Sequence, residues 1–378
     1  MLGLRGGNRI VVTTDGSEPN INSTDYNATL FLRLDGTSDE VTIKAKSVGV
    51  EAGNLSDTST LFIKFYYVDS NYSGSMENGS FDAPLRTITE AVNGYINVVS
   101  PQRWLRIIVA NGTYNEDVTL TKAVSLFASG SNAILNGRLT VNGESNTAYT
   151  VVNGLNIMEG VVVASSSSVL LSHNTVTCST CASIRNVNIS GANTEIIRND
   201  ISGNSYTAIA LLTSDTVVFG NNITVNASNG IGIYNSGGEN SQIINNTFTL
   251  PEGASMATLW LSTKNATVKN NKIIGGGFCV LIESASHLPR ILDTNQYTQC
   301  TALKTGYTDG TEYATKVDID NLQYADHSII GSDLDNSGVN TAGLDLSSDY
   351  PGATDLNGAP RTGDGSGHGW SIGAVETD

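Results

Sequence analysis

A chain of 378 residues with 36 acidic and 20 basic side chains carries a formal charge of −16, an excess that works against binding nucleic-acid phosphates or an anionic membrane. Its 39% hydrophobic content supplies a core, yet no apolar run reaches the length of a membrane-spanning helix, so no membrane insertion is expected. The opening Met1-Leu-Gly-Leu-Arg-Gly-Gly7 lacks the form of a signal peptide, and a domain is already under way there, so the true N-terminus is expected outside this chain.

In chain order, Ile10-Val-Val-Thr-Thr-Asp-Gly-Ser-Glu-Pro19, Val41-Thr-Ile-Lys-Ala-Lys46 and Thr58-Ser-Thr-Leu-Phe-Ile63 are strand candidates bounded by turn residues, which predicts a small β-domain over 1–65. The phrase Thr13-Thr-Asp-Gly-Ser-Glu-Pro19, with Tyr26 and Val41–Lys46, resembles the immunoglobulin-like domain at the C-terminus of chitobiase-type enzymes. That resemblance implies an accessory β-sandwich whose first strands are missing here. Residues 66–97 then connect: Tyr66-Tyr-Val-Asp-Ser-Asn71 leads through a Gly/Ser/Asn loop to Asp82-Ala-Pro-Leu-Arg-Thr-Ile-Thr-Glu-Ala-Val92, which has helical spacing with Pro84 near its start. Such a helix suits the end of a stacked fold, where core and strand edges would otherwise be bare.

Strand candidates follow at Trp104–Val109, Val118–Leu120, Val124–Leu126 and Leu139–Val141. From Val151 to Tyr324 one phrase recurs, as Asn174-Thr-Val176, Asn199-Asp-Ile201, Asn221-Asn-Ile223, Asn246-Thr-Phe248, Asn271-Lys-Ile273 and Asn295-Gln-Tyr297, with a blurred copy at Asn321. The steps are 25, 22, 25, 25, 24 and 26 residues, and a fixed period of that size marks a stacked repeat. The segments are two-periodic and rich in Val, Ile and Thr, hence strands. Further runs such as Thr207–Leu212, Gly230–Tyr234, Thr258–Ser262 and Cys279–Glu283 give three strands per period, a parallel β-helix coil. Asn tolerates the left-handed conformation that a sharp bend needs, and stacked amides bond to one another along the axis.

These phrases, with Asn111-Gly-Thr-Tyr-Asn-Glu116 and the closing Asp355-Leu-Asn-Gly-Ala-Pro-Arg361 and Trp370-Ser-Ile-Gly-Ala-Val-Glu376, resemble right-handed parallel β-helix proteins of the pectate-lyase-like superfamily, of secreted or surface type. The resemblance covers roughly 66–378. It implies an all-β chain: a right-handed parallel β-helix of about ten coils over 66–327, with its N-terminal capping helix within 66–97 and a C-terminal cap over 328–378.

If Ile209, Leu211, Ile231, Ile233, Leu259, Leu261, Val280 and Ile282 fill the core, their alternates face out. One outward column then reads Arg185, Ala210, Gly232, Trp260, Leu281, Lys304, and its neighbour Leu212, Tyr234, Ser262, Glu283. Aromatic rings stack on the apolar faces of sugars while charges take hydroxyls or carboxylates, which makes Trp260, Tyr234, Arg185 and Lys304 the candidate carbohydrate-binding set. Burial of both rings under a loop or in a subunit contact is the plain alternative. In pectate-lyase-like families this sheet lines a saccharide groove, so the resemblance implies a polysaccharide or cell-surface glycan as partner. On another face Leu170, Ile197, Val217, Phe219, Ile244 and Ile291 alternate with core positions. A row of exposed aliphatics predicts a covering segment or a homo-oligomer, as in trimeric viral tailspikes by fold-level analogy.

Catalytic signals are thin. Pro289-Arg290 alone resembles the Arg-x-x-Pro-x-x-Arg arrangement of calcium-dependent lyases. No adjacent Asp pair stands in the coils for a polygalacturonase-type hydrolase, and Gly367-His-Gly369 falls in the C-terminal cap. The residual cluster is Glu283, His287, Arg290 and Asp293, as base, neutraliser and acid, with a solvated turn as its alternative; Lys264, Lys269 and Lys304 could serve a lyase. Asp333, Asp335 and Ser337 place oxygens at alternate positions before Gly338, as calcium loops do, with Asp69-Ser-Asn-Tyr-Ser-Gly74 a weaker echo and Asx turns the alternative. No cofactor is assigned from the sequence, and calcium is the one candidate. Cys178 with Cys181, and Cys279 with Cys300, read as two disulfides of an oxidising compartment.

The expected function is carbohydrate recognition or adhesion by an extracellular, cell-surface or virion-surface protein. Its rivals are a polysaccharide lyase or glycoside hydrolase working on the Trp260 face, and a structural rod or tailspike-type fibre component.

Overall fold

The computed structural model describes residues 9–26, 39–49, 55–94, 103–121, 124–142, 150–164, 168–178, 185–190, 193–204, 206–283, 287, 289–293, 295–300, 302–305 and 312–313. Strand β1 (Arg9–Thr13) pairs antiparallel with β2 (Thr24–Asp25) and β3 (Glu40–Val48), and β3 pairs antiparallel with β4 (Ser59–Val68). β4 runs across residue 65. Its first half faces β3, from Ala45↔Ser59 to Glu40↔Lys64, while Phe62 to Val68 pair in parallel with β5 (Arg103–Val109). Among the described residues, the N-terminal strands thus extend a sheet of the solenoid itself.

Helix α1 (Ile88–Gly94) starts six residues later than the spacing predicts. The chain before it is engaged elsewhere: Leu85 donates its N–H to Tyr67 O at 2.9 Å and accepts from Asp69 N at 2.8 Å, and the residue before Pro84 is held out of the helical region. Thr87 is the cap, its Oγ1 accepting from Glu90 N at 3.1 Å while Glu90 Oε2 accepts from Thr87 N at 3.3 Å, a reciprocal capping box. Glu116, from the Asn111–Glu116 phrase, accepts from Ile88 N at 2.8 Å and Thr89 N at 2.9 Å, placing a carboxylate at the positive end of the helix. Ile88, Ala91 and Val92 are buried, and α1 packs on β4, β5 and Val118–Leu120.

From β5 the first sheet continues in parallel through Val124–Ala128, Thr150–Asn153, Val169–Ser172, Thr194–Ile197, Val217–Phe219, Gln242–Ile244, Thr267–Lys269 and Ile291–Asp293. Two further faces complete each turn. The second holds Thr175–Cys178, Asp200–Gly203 and Asn222–Val225; the third holds Arg185–Ile189, Thr207–Leu211 and Ile231–Asn235. They merge where Thr247–Leu261 and Lys272–Ile282 run unbroken across the corner. The result is an all-β solenoid of about six regular turns with a single helix among the described residues. Inward columns fill it, one of them being Val176, Ile201, Ile223, Phe248, Ile273 and Tyr297 in consecutive register. All six are buried, and the Val, Ile and Phe side chains each stabilise the stack by roughly 1.5–3 kcal/mol.

The recurring asparagines form a closed hydrogen-bonded ladder between the first and second faces. Asn174 Nδ2 donates to Asn199 Oδ1 at 3.0 Å, Asn199 to Asn221 at 3.0 Å, Asn221 to Asn246 at 2.9 Å, Asn246 to Asn271 at 3.0 Å and Asn271 to Asn295 at 2.9 Å. Each of these acceptor oxygens also takes the backbone N–H of the preceding rung, as Asn246 Oδ1 does from Asn221 N at 2.9 Å. The amides further donate to carbonyls of the first sheet, among them Leu171, Ile196 and Val218. These asparagines are buried with their polar groups paired, which burial requires.

The left-handed bend expected at the ladder asparagines sits one residue earlier, at His173, Arg198, Gly220, Asn245 and Asn270, with φ from 52° to 66°. The ladder residue itself is chosen for its amide, which bonds up and down the stack. A second left-handed column, Asn193, Asp215, Asn240 and Asn265, opens the turn into the first sheet. The row of exposed aliphatics divides into two columns in register: Leu170, Val217 and Ile291 alternate with Glu195, Gln242 and Thr267, while Ile197, Phe219 and Ile244 run on into Lys269. Phe219 and Ile244 are buried. An unbroken exposed stripe is therefore not what this face presents.

Candidate functional site

Backbone register decides what stands beside Trp260. Asn188 pairs with Ala210, Ala210 with Tyr234, Tyr234 with Trp260, Trp260 with Leu281 and Leu281 with Lys304. Tyr234 thus lies one rung from Trp260, their ring centroids 5.4 Å apart and their planes at 79°, the edge-to-face arrangement favoured by ring quadrupoles. Ala210 and Leu281 flank them, buried, while the two rings are half-buried. The column is an apolar strip about 14 Å long at ~4.8 Å per rung.

This corrects two expectations. Gly232 is not in the column, and Tyr234 does not stand beside Ser262. The cause is Asn235, which takes a core-facing position opposite Leu211 and Leu261 that an apolar residue would be expected to fill. Its amide is satisfied inside, Oδ1 accepting from Gly238 N at 3.0 Å and Nδ2 donating to Gly238 O at 3.3 Å. Arg185 is displaced as well: it pairs with Thr207, three positions before Asn188, the residue in the Tyr234–Trp260 column.

Two positions beyond the strip, Ser236, Ser262 and Glu283 carry the parallel ladder on, donating to Leu211 O at 3.0 Å, Asn235 O at 2.8 Å and Leu261 O at 3.0 Å. The turns that follow enclose a cleft of about 560 Å³ lined by Ser214, Ser236, Gly237, Glu239, Ser262, Thr263, Lys264 and His287. Its walls are fixed from behind. Asn235 grips the Gly238 turn, Ser241 Oγ donates to Gly238 O at 2.7 Å, and Asp215 N donates to Glu239 O at 2.9 Å. At Gly237 the turn passes so close to the neighbouring rung that an added Cβ would lie 2.4 Å from Leu212 O, so glycine is required by space.

The cleft's charges come in pairs. Lys264 Nζ lies 3.7 Å from Glu239 Oε1, and His287 Nδ1 lies 3.7 Å from Glu283 Oε2. Ser262 Oγ donates to the same Glu283 oxygen. Of the expected acid–base quartet, Glu283 and His287 are brought together at the cleft. Arg290 is exposed and leads into the first sheet, its N–H on Ala266 O at 2.8 Å, and Asp293 pairs in that sheet with Lys269. The quartet is split because the chain turns a corner between residues 283 and 290. Sequence reasoning missed Glu239 and Ser236, although Glu239 and Lys264 stand 25 residues apart, one ladder step.

Cys279 and Cys300 form a disulfide with Cα atoms 5.4 Å apart, and Cys178 is disulfide-bonded; Cys181 lies outside the described residues. So do Asp333, Asp335 and Ser337. The weaker calcium-loop echo is an Asx turn, with Asp69 Oδ1 accepting from Asn71 N at 2.9 Å. Among the described residues no three His, Cys, Asp or Glu side chains gather as metal ligands, and no helix is long and apolar enough to cross a membrane.

The family model described as "Right handed beta helix region" matches residues 185–313, the stretch that holds most of the ladder and the whole cleft. No curated protein matches the chain. The crystal structure of pectate lyase Pel9A is similar with a TM-score of 0.40 and 14% identity, covering 83% of this chain and 96% of that one. A likeness that loose says nothing about chemistry in this chain.

Proposed function

We propose that this chain is a secreted or surface-displayed right-handed β-helix protein that binds a polysaccharide along the Tyr234–Trp260 strip and the adjoining cleft. The reading keeps the rod of about ten coils and the small N-terminal β-sandwich expected from sequence. The observation that carries it is the edge-to-face Tyr234–Trp260 pair, two residues along the same strands from a cleft rich in hydroxyls. Rings take the apolar faces of a sugar, while hydroxyls and charged pairs take its edges. About 6–7 Å of strand separates the two elements, so one chain of a few sugars would span both.

A second reading, as a polysaccharide lyase or glycoside hydrolase, is favoured by one observation: Glu283 receives the Ser262 hydroxyl and faces His287 at the cleft wall. A carboxylate beside an imidazole is a proton-transfer pair in kind. Incubating the chain with a polysaccharide panel, with and without calcium, separates the two. Retention without shortening supports the binder, and new reducing or unsaturated ends support the enzyme. Retention that survives Trp260→Ala unchanged would remove the strip from either reading.

A further inference from the structure

We infer that the glycan held by the strip and cleft is uncharged, a conclusion that rests on the binding reading above. Among the described residues the ionic groups lining the cleft are Glu239, Lys264 and His287, with Glu283 at its edge against His287. Two carboxylates meet at most two cations, so the described residues give the cleft no net positive charge in any protonation state of His287 with both acids ionised. Each cation is already engaged at 3.7 Å by a carboxylate. A polyuronate or sulfated chain would have to break one of these pairs to be bound, leaving a carboxylate beside the incoming anion. Recognition of a sugar carboxylate favours the two-pronged guanidinium, and among the described residues no arginine lines the cleft.

Charge at long range points the same way. With a formal −16 over the whole chain, the surrounding field repels a polyanion wherever salt does not screen it, which at ~0.1 M means within about 10 Å. What the cleft does offer is Ser214, Ser236, Ser262 and Thr263, whose hydroxyls both donate and accept. Those groups match the hydroxyls of a neutral sugar without requiring a counter-charge.

The test is retention of the full chain on immobilised neutral hexose polymers and on polyuronates, each at low and high salt. Retention on a neutral polymer is expected, insensitive to salt and lost in Trp260→Ala, with polyuronate retention at least tenfold weaker. The double variant Glu239→Gln/Glu283→Gln, which leaves Lys264 and His287 unopposed, should gain polyuronate retention severalfold; its unfolding curve checks that it is folded. Polyuronate retention by the native chain equal to or above neutral retention, and weakened by salt, would overturn the inference and leave the binding reading standing. No gain in a folded double variant would also overturn it. Retention on no polymer would overturn both.

Discussion

Two corners of the same coil are built in opposite ways. At the ladder corner, six asparagines repeat at 25, 22, 25, 25 and 24 residues with one side-chain bonding scheme. At the cleft corner, the turns after Leu211, Asn235, Leu261 and Ile282 differ in sequence and present Ser214, Glu239, Lys264 and His287. The first corner buries its six ladder amides and bonds each to its neighbour; the second keeps polar groups at the surface and pairs them loosely, at 3.7 Å. The difference teaches that the period carries stability, and that variation at the turns shapes a cleft on a scaffold that does not depend on it.

The most forceful way to break that comparison is at the ladder. Asn246→Ala removes the acceptor of Asn221 N and Nδ2, both at 2.9 Å, and the donor to Val218 O and Asn271 Oδ1. With several buried groups orphaned at ~1–3 kcal/mol each, the loss should reach about 3–5 kcal/mol in denaturant unfolding. A loss below about 1 kcal/mol would mean that the ladder is not the stabilising seam. Gly237→Ala tests whether the cleft turns have any such demand. Its Cβ would meet Leu212 O at 2.4 Å, and overpacking of this kind costs about 1–3 kcal/mol, read as a lower Tm.

Lys264→Ala sharpens the contrast from the other side. The pair with Glu239 is exposed and long, so its removal should change stability by no more than about 0.5 kcal/mol. A larger loss would make the cleft corner structural. The smallest effect is expected at Asp200, whose carboxyl is raised from its ordinary value by burial, opposed by the Asn222 amide at 3.2 Å. A raised folded-state value stabilises below the unfolded value and loses that contribution as pH rises. Asp200→Asn should therefore raise Tm slightly at neutral pH, with the gain fading as pH falls towards the ordinary value of 3.8. A gain that persists in acid would assign the effect to something other than charge.

Much of this was legible in the chain. The asparagine period was readable because each coil must stack on the last, so a geometric constraint is written once per turn. The phrase Asn111–Glu116 was visible too, although its Glu116 contact with the start of α1 spans 27 and 28 residues and needs the fold to be seen. The register of the Tyr234–Trp260 strip was not legible. Hydropathy assigns Ile231 and Ile233 to the core and leaves Asn235 outside, whereas the structure admits Asn235 because the Gly238 turn satisfies its amide. One polar residue buried with its partners moved Tyr234 by a whole column. The bend was misplaced by one residue for a related reason, since its occupants, His173, Arg198, Gly220, Asn245 and Asn270, share a conformation but no side-chain chemistry.

The most direct single measurement compares the native chain with Trp260→Ala for retention on a polysaccharide panel, while polymer length and the unfolding transition of both proteins are followed. Retention of the native chain on at least one polymer, reduced tenfold or more in a variant that remains folded, is the predicted result. Equal retention by the two proteins, or none by the native chain on any polymer, would contradict a glycan-binding role for the Tyr234–Trp260 strip.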